Sequence, residues 1–413
     1  MKVMSMDIWL INHYAVPPKY YPLARQTYFA KHLMKMGHTV TIFAASTVHN
    51  SNQNLITDGK SYRQETVDGV NYVYIKCKDY QGSGLKRVYN ICEFAWKLPG
   101  VCKHFPKPDA IVATSMPPTS CAMGIRLARK YGCRGIAEIA DLWPESIVAY
   151  GIAGPKNPAV IGLRWLEKWI YKKADAVIFT MEAAYRYIEE RGWQKQIPES
   201  KIFYVNNGVD LELFRYNREH FQVEDKDLDD PEKFNIVYTG SIRKVNNLGL
   251  LLDAAKLVKD PKVQFLIWGD GDELPALRQR VTDEGITNVI FKGKVSKEYV
   301  PGIVCRADVN IAHNTPSPLF RFGISFNKLF DYIAAEKPIL SDFPSAHNPA
   351  VAYGASLEVT DATAPNIARA VESFVAMNEE EYGRYSENAR LAAQEYNFEA
   401  LTKKLASIIE SQP

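Results

Sequence analysis

Cysteine is scarce and scattered. The six residues Cys77, Cys92, Cys102, Cys121, Cys133 and Cys305 lie ten or more positions apart, with no CxxC pair and no His-x-x-x-His. That spacing excludes a zinc site and a small disulfide scaffold, and makes reduced thiols in a cytosolic protein the expectation. Long apolar runs are missing as well. The longest uncharged stretch, Ala110 to Ile125, contains Pro117 and Pro118 among hydroxyl residues, and a span needs about 20 apolar residues. Residues Met1 to Asn12 carry Lys2 and Asp7 without the apolar core of a leader peptide, so they read as a strand. The turn Gly269-Asp270-Gly271-Asp272 lacks the full GxGxxG fingerprint, which weighs against a nicotinamide enzyme. Basic residues without an accompanying recognition motif give no support to nucleic-acid binding.

What is present is an ordinary globular composition on a long chain: 413 residues, 46% hydrophobic, 23% charged, net charge +3. Such a length suits two domains. Charge is uneven, with 29 Lys and Arg against 19 Asp and Glu in residues 1–220 and 21 against 28 in the remainder. Scatter over solvated faces accounts for the basic half, as does attraction to an anionic membrane or a phosphate-bearing substrate. Both halves repeat one rhythm, a short apolar or β-branched run followed by a turn signal and a helical period. Strands are expected near Met6–Ile11, Thr39–Ala44, Ala110–Thr114, Gly135–Ala140, Ala176–Thr180 and Ile202–Val205, and again near Asn235–Thr239, Val263–Trp268, Val289–Phe291, Val309–Ala312, Pro338–Leu340 and Ser356–Val359. Their almost continuous apolar character fits parallel strands covered on both faces. The fold class is α/β, two doubly wound Rossmann-like domains, with residues 1–208 in the first and 209–395 in the second. Arg215–Lys233, acidic and poor in large apolar groups, reads as a solvated linker. Ligands of such sheets sit beyond the carboxyl ends of the strands, in a cleft shared by the domains if the two sheets face each other.

Two segments fit that location. In Phe322-Gly323-Ile324-Ser325-Phe326-Asn327-Lys328 a glycine and polar residues open a helix, so free N–H groups and the positive helix end lie beside Ser325, Asn327 and Lys328. A diphosphate fits there. Asp331 follows one turn deeper, placed to accept two ribose hydroxyls. The plainer account makes Ser325 an N-cap, Asn327 a turn residue and Lys328–Asp331 a surface pair. In Tyr238-Thr239-Gly240-Ser241-Ile242-Arg243 a buried strand ends in a glycine and small polar residues, and Arg243 can form a bidentate bridge to phosphate. The alternative is a surface turn capped by Asn246 or Asn247.

The Gly240–Asn247 loop, the Gly269-Asp270-Gly271 turn, Phe291-Lys292-Gly293-Lys294-Val295, Ala307-Asp308, Asn327–Pro338, His38-Thr39-Val40-Thr41 and Asn207-Gly208-Val209-Asp210 together resemble the retaining GT-B glycosyltransferases of family 4 type. Asp141-Leu142-Trp143-Pro144-Glu145-Ser146 and Asn327–Tyr332 are similar to the WbuB-like L-fucosamine branch that builds O-antigen and capsule repeats. The resemblance implies a UDP-sugar donor held by the second domain and a glycosyl acceptor presented by the first across a central cleft. Residues 396–413 would cross back to the first domain as a helix. Arg243 and Lys328 would neutralise the diphosphate, Asp331 would bind ribose, Gly293, Lys294 and Val295 would meet the base, and Gly240, Gly323, Ile324, Ser325 and Asn327 would complete the donor site. No metal is implied, since cationic groups can balance the leaving diphosphate and no DxD motif is suitably placed.

Departures from the family pattern are informative. Gly323 and Asp331 stand where many relatives carry two glutamates, and the amino-terminal loop from His13 to Arg25 replaces a common Gly-Gly pair with bulky residues. For an acceptor base, Asp141 is the first expectation and Glu145 the second, with Glu138 in the preceding strand and His13 also within the expected region; capping or an arginine pair is the plain alternative for Asp141. Tyr80–Lys107 interleaves Lys86, Arg87, Lys97, Lys103 and Lys107 with Tyr80, Tyr89, Phe94, Trp96 and Phe105. It suits either a helix with one apolar core face or a membrane interface. The second implies a peripheral protein on the inner face of the cytoplasmic membrane and a polyprenyl-diphosphate-linked saccharide as acceptor. A sugar-nucleotide epimerase and a non-catalytic nucleotide-binding scaffold are the competing function classes.

Overall fold

The computed structural model describes residues 5–21, 24–49, 51–82 and 84–411. It divides into two compact units, one running to Asn206 and resuming at Phe398, the other Asn207–Asn397. Each is a parallel sheet flanked by helices.

The first unit contains β1 (Asp7–Ile11), α1 (Arg25–Lys35), β2 (Thr39–Ala45), β3 (Tyr62–Val67), β4 (Val70–Ile75), α2 (Leu85–Cys102), β5 (Ala110–Ser115), α3 (Pro118–Tyr131), β6 (Arg134–Ile139), α4 (Glu145–Ala149), α5 (Pro158–Lys173), β7 (Ala176–Phe179), α6 (Ala184–Glu190) and β8 (Ile202–Tyr204). The sheet order is β3-β4-β2-β1-β5-β6-β7-β8, parallel throughout except for β3 against β4. Chain direction across the sheet reverses between β1 and β5, so the loops leaving those two strands part and open a crevice. All six residues of β5 are buried, which is why that strand reads as an uninterrupted apolar and small-residue run.

The second unit contains α7 (Leu211–His220), β9 (Phe234–Thr239), α8 (Gly249–Leu257), β10 (Val263–Trp268), α9 (Leu274–Asp283), β11 (Val289–Gly293), α10 (Val300–Val304), β12 (Val309–Ala312), α11 (Asn327–Ala334), β13 (Ile339–Ser341), α12 (Pro349–Ala352), β14 (Ser356–Glu358), α13 (Ala364–Val375) and α14 (Glu379–Glu395). Its order, β11-β10-β9-β12-β13-β14, places the reversal between β9 and β12. One core face gathers Ile236, Tyr238, Leu251, Phe265, Ile311 and Val371. The last helix, α15 (Phe398–Glu410), packs in the first unit. The Phe398 ring lies tilted 4.8 Å from Tyr28 and edge-on 5.4 Å from Phe29, and Leu401, Leu405, Ile408 and Ile409 of the same apolar stripe are buried.

Three features differ from the sequence-based expectation. Tyr62–Val67 and Val70–Ile75 form a hairpin at the sheet margin, turned by Asp68 and Gly69 with φ of 49° and 80°. The Asp-Gly signal for a two-residue turn was present, but the outer strand buries little and shows weak alternation. The helix expected at Pro22–Met36 starts at Arg25; Pro22, Leu23 and residues 1–4 of the expected amino-terminal strand lie outside the described residues. Arg215–Lys233 is not a solvated linker. Asp210 caps α7 by accepting from the Leu213 N–H at 3.0 Å. Asp225 accepts from Lys292 at 2.6 Å, Asp227 accepts from the same amine at 2.5 Å, and Asp229 pairs with Arg306 at 2.6 Å. Asp225, Asp227 and Asp229 are ion-pair partners of distant lysine and arginine, which sequence spacing does not reveal.

Leu228 anchors this segment in a cluster with Val237, Leu266, Trp268 and Ile303. Leu228→Ala should therefore cost about 2–5 kcal/mol in urea unfolding, as for a buried leucine. A change below about 0.5 kcal/mol, typical of surface positions, would restore the linker reading.

Candidate functional site

Beyond the strand ends of the second unit the loops are stitched side by side. The Gly240 N–H donates to Trp268 O at 3.0 Å, Gly269 N–H to Gly293 O at 2.8 Å, and Ile242 N–H to Asp270 O at 2.9 Å. The loops after β9, β10 and β11 thus continue the sheet as a backbone platform. Gly269 is required for that approach: its φ is +154°, and a Cβ there would lie 1.8 Å from Gly240 O. From the other side of the reversal, the Thr315 N–H donates to Val245 O at 3.1 Å. His313, the residue after β12, bonds Asn247 O through Nε2 at 2.9 Å and Asp342 through Nδ1. His313 and Asp342 are both fully buried, so this pair ties the loop bearing Arg243 to the ends of β12 and β13.

Lys328 stands in the middle of this arrangement. Its ammonium donates to His313 O at 2.7 Å and to Tyr238 Oη at 3.3 Å, and lies 4.5 Å from the Tyr238 ring centroid. Tyr238 Oη in turn donates to Ser241 O at 3.0 Å. These partners are neutral, and among the described residues Lys328 has no carboxylate in ion-pair contact. Burial pushes its amine down to about 7, opposed by the more distant charge of Asp342. Lys328 is also the second residue of α11, whose N-cap, Phe326, offers no side-chain hydrogen bond. The helix N-terminus therefore presents open N–H groups and positive dipole beside a cation without a counter-charge. An anion is what this geometry accommodates.

The other expected donor-site residues occupy this region in different ways. Arg243 is exposed on the β9 loop and makes no ion pair among the described residues. Ser325 does not cap α11; its carbonyl accepts from Asn207 Nδ2 at 2.9 Å. Ile324 and Gly323 are buried, and Asn327 is exposed as the first residue of α11. Gly293 ends β11, with Lys294 exposed and Val295 half-buried after it. Asp331 is buried and paired with Lys297 of the turn following β11. The structure thus joins the Asp331 helix face to the β11 loop through a lysine that sequence reasoning missed, its partner being 34 positions away. His313, Asp342 and Tyr238 were missed too, although adjacency to strand ends at the reversal was a usable signal.

In the first unit the candidate acid–base groups separate by their partners. Glu138 is buried and accepts from Arg25 at 2.9 Å, Gln26 at 3.1 Å and Thr114 at 2.7 Å. Arg25 also caps the Val205 and Asn206 carbonyls. Glu138 is a tie between α1, β5, β6 and the chain after β8. Glu145 receives a bidentate pair from Arg164 at 2.7 and 2.9 Å, with Arg191 at 3.5 Å. Guanidiniums from α5 and from the end of α6 hold its carboxylate. His13 corrects a further expectation, because it is wholly buried rather than presented at the loop surface. Asn90 and Phe94 of α2 close over it, Nε2 bonds Asn90 Oδ1 at 2.7 Å, and burial pushes the imidazole down to about 3. Asp141 alone makes no hydrogen bond or ion pair among the described residues. Its side chain reaches water, yet the protein packed around it raises its carboxyl above the ordinary value by desolvation.

The pattern described as Glycosyltransferase Family 4 matches residues 26–213, and that described as Glycosyl transferases group 1 matches residues 233–377. The Escherichia coli K12 protein named as the colanic acid biosynthesis glycosyl transferase WcaI is 23% identical over 294 residues, covering 68% of this chain and 69% of that protein. The Pseudomonas aeruginosa protein named as the probable glycosyltransferase WbjE is 22% identical over 262 residues, 62% of each chain, so under two thirds of that relative is spanned. Anabaena HepE, solved in complex with UDP and glucose, superposes with a TM-score of 0.67 at 14% identity, covering 98% of this chain and all of that one.

The loop platform predicts a graded response to glycine substitution. Gly285 also has positive φ, +61°, but open space around its Cβ position. Gly285→Ala should cost about 1–2 kcal/mol, the left-handed penalty alone. Gly269→Ala adds a backbone collision and should cost at least about 3 kcal/mol in thermal or urea unfolding. Equal losses would show that the close approach at Gly269 does not hold the loops together.

Proposed function

We propose that this chain, a glycosyltransferase of the GT-B fold assembled from a family 4 segment and a group 1 segment, moves a deoxy-amino or N-acetylated sugar from a UDP-sugar to a lipid-linked saccharide acceptor, with retention of anomeric configuration, in O-antigen or capsule polysaccharide synthesis. The observation that carries the donor half is Lys328. The amine of a half-buried lysine with neutral partners, at an uncapped helix N-terminus and at the reversal of a doubly wound sheet, calls for a diphosphate to supply its counter-charge. Support for the pathway comes from the name of WcaI, and support for the nucleotide from the UDP bound by HepE.

In this reading the bond between the sugar C1 and the diphosphate oxygen breaks as the acceptor oxygen bonds C1 on the same face. The negative charge that develops on the departing β-phosphate is met by Lys328, Arg243 and the open N–H groups of α11 rather than by a metal ion. The acceptor's proton passes to that phosphate oxygen or to Asp141, which among the candidate carboxylates has no partner in the described residues. Asp331 receives the ribose hydroxyls once Lys297 yields, and the backbone at Gly293, Lys294 and Val295 faces the base. Gly240 and Gly323 allow close approach of the diphosphate and sugar, Ile324 packs beneath the site, and Ser325 and Asn327 form the rim.

Thermal-shift titration with UDP, GDP, ADP, CMP and dTDP tests the donor site. Selective stabilisation by UDP is expected, about 2.7 kcal/mol at a hundredfold excess over Kd, and Lys328→Ala should abolish it. Stabilisation by no nucleotide, or by UDP equally in the variant, would overturn the assignment.

The lowered Lys328 amine also fixes a pH dependence. The free protein loses that proton near pH 7, whereas a bound diphosphate holds the proton to higher pH, so binding takes up a proton once the pH exceeds about 7. UDP affinity measured calorimetrically should be greatest below pH 7 and fall by up to about tenfold per unit above it. Lys328→Arg, which stays charged, should flatten that slope. A flat profile in the native protein would separate Lys328 from the diphosphate.

A further inference from the structure

One surface of the first unit is left unused by the donor and acceptor chemistry. On α2, Leu85 is 87% exposed and Trp96 79%, with Val88, Tyr89 and Cys92 exposed between them. Their spacing of three and four residues puts them on one helix face. On α5, Ile161 and Trp165 follow the same spacing, and Trp165 is 76% exposed. A groove of about 590 Å³ runs between α2, α3 and α5, with Trp96, Met123, Arg126, Trp165, Leu166 and Trp169 in its walls. Single exposed apolar residues need no explanation, but a contiguous aromatic strip marks a surface that meets something.

Charge identifies the partner. Helices α2, α3 and α5 carry ten Lys and Arg against two Glu, Glu93 and Glu167. Both glutamates are buried, Glu93 paired with Lys97 and Glu167 accepting from Tyr171 and Tyr187. With Glu167 buried, Lys97 paired to Glu93 and Arg164 to Glu145 of α4, the other charged side chains of the three helices are all basic. Arg126 itself lies 5.4 Å from the Trp169 ring, at the groove. A second copy of this face would meet its own sign of charge. A bilayer with anionic headgroups offers the opposite sign at the rim and an interface that favours indole rings at the centre. No helix among the described residues is long and apolar enough to cross a membrane, so contact of this kind lies along the surface.

We propose that the α2, α3 and α5 face docks on an anionic phospholipid bilayer, with Trp96 and Trp165 entering the boundary between headgroups and acyl chains and the basic residues resting on the headgroups. The proposal builds on the lipid-linked acceptor above and assigns the surface by which such an acceptor is met.

Co-sedimentation of the full chain with vesicles of phosphatidylcholine alone, and of phosphatidylcholine with phosphatidylglycerol, tests it. Binding is expected only with the anionic vesicles, with a blue shift of tryptophan emission, and added salt should weaken it. Trp96→Ala with Trp165→Ala should lower partitioning by about tenfold or more. Arg126→Glu with Lys168→Glu should lower it with the indoles intact. Unchanged melting temperatures and an unchanged response to UDP would show that both variants fold and that the second unit is intact. A UDP response without vesicle binding in the native protein would overturn the docking proposal alone. Vesicle binding without a UDP response would support docking while sinking the donor assignment. Vesicle binding unaffected by the tryptophan pair, with loss of a dimer in sedimentation velocity, would make the face a self-association surface and overturn the proposal.

Discussion

A parallel sheet sends all of its strands out through one edge, and in both units this constraint decides where polar groups can collect. Strands covered on two faces are apolar along their length, as in the fully buried β5 and β10. Chemistry is pushed to the residues that follow each strand. Where the chain reverses direction across the sheet, neighbouring loops part instead of covering one another. Lys328, His313, Asp342, Tyr238 and the Gly240 loop gather at that reversal in the second unit. The strand ends bring them together from positions spread over a hundred residues of sequence.

Holding a lysine there has a physical cost, and the structure shows how the site meets it. Burial without a carboxylate in contact disfavours the charged amine and lowers it to about 7. A carboxylate beside Lys328 would restore its charge but would also compete with any incoming phosphate. Instead the ammonium is held by a backbone carbonyl, a phenol oxygen and a ring face. These fix its direction without neutralising it. The more distant Asp342 is engaged by His313, which uses its other nitrogen to hold the loop that bears Arg243. One buried carboxylate thereby orders a loop and leaves the cation open. Lys297 treats Asp331 differently, covering a carboxylate that the proposed donor would use, so donor entry exchanges an ion pair for hydroxyl contacts.

Most of the architecture was legible in the sequence because it depends on local signals. Apolar strands of five or six residues alternating with helical periods specify a doubly wound sheet, and nearly every expected strand falls within a residue or two of the observed one, as at Val263–Trp268 and Val309–Ala312. The positions of Lys328 and Arg243 in the fold were legible for the same reason, since each follows a glycine-containing turn beside a strand or helix end. What was not legible depends on partners far away in the chain. The acidic run after α7 looked solvated because Lys292 and Arg306 lie some 65 to 80 positions on. His13 looked like a loop residue because Asn90 covers it from 77 positions away. The hairpin of β3 and β4 carried a clear turn signal and a faint strand signal.

The same distinction separates the carboxylates of the first unit by their partners. Glu138 has three donors, Glu145 has two guanidiniums, and Glu167 has two phenols and is pushed up by burial to about 8. Glu138 holds α1 to the sheet, whereas Glu145 and Glu167 tie helices to one another. Withdrawing any of them for proton transfer would leave buried donors or cations unpaired, at a cost of about 1–3 kcal/mol or more per group. Asp141 is under no such obligation. It follows β6 in the short turn before α4, has water access, and has its proton affinity raised by the protein around it without a cation to lower it. A carboxylate in that state accepts a proton more readily than an ordinary surface aspartate. Of Glu138, Glu145, Glu167 and Asp141, the packing of the unit leaves only Asp141 without a hydrogen bond or ion pair among the described residues.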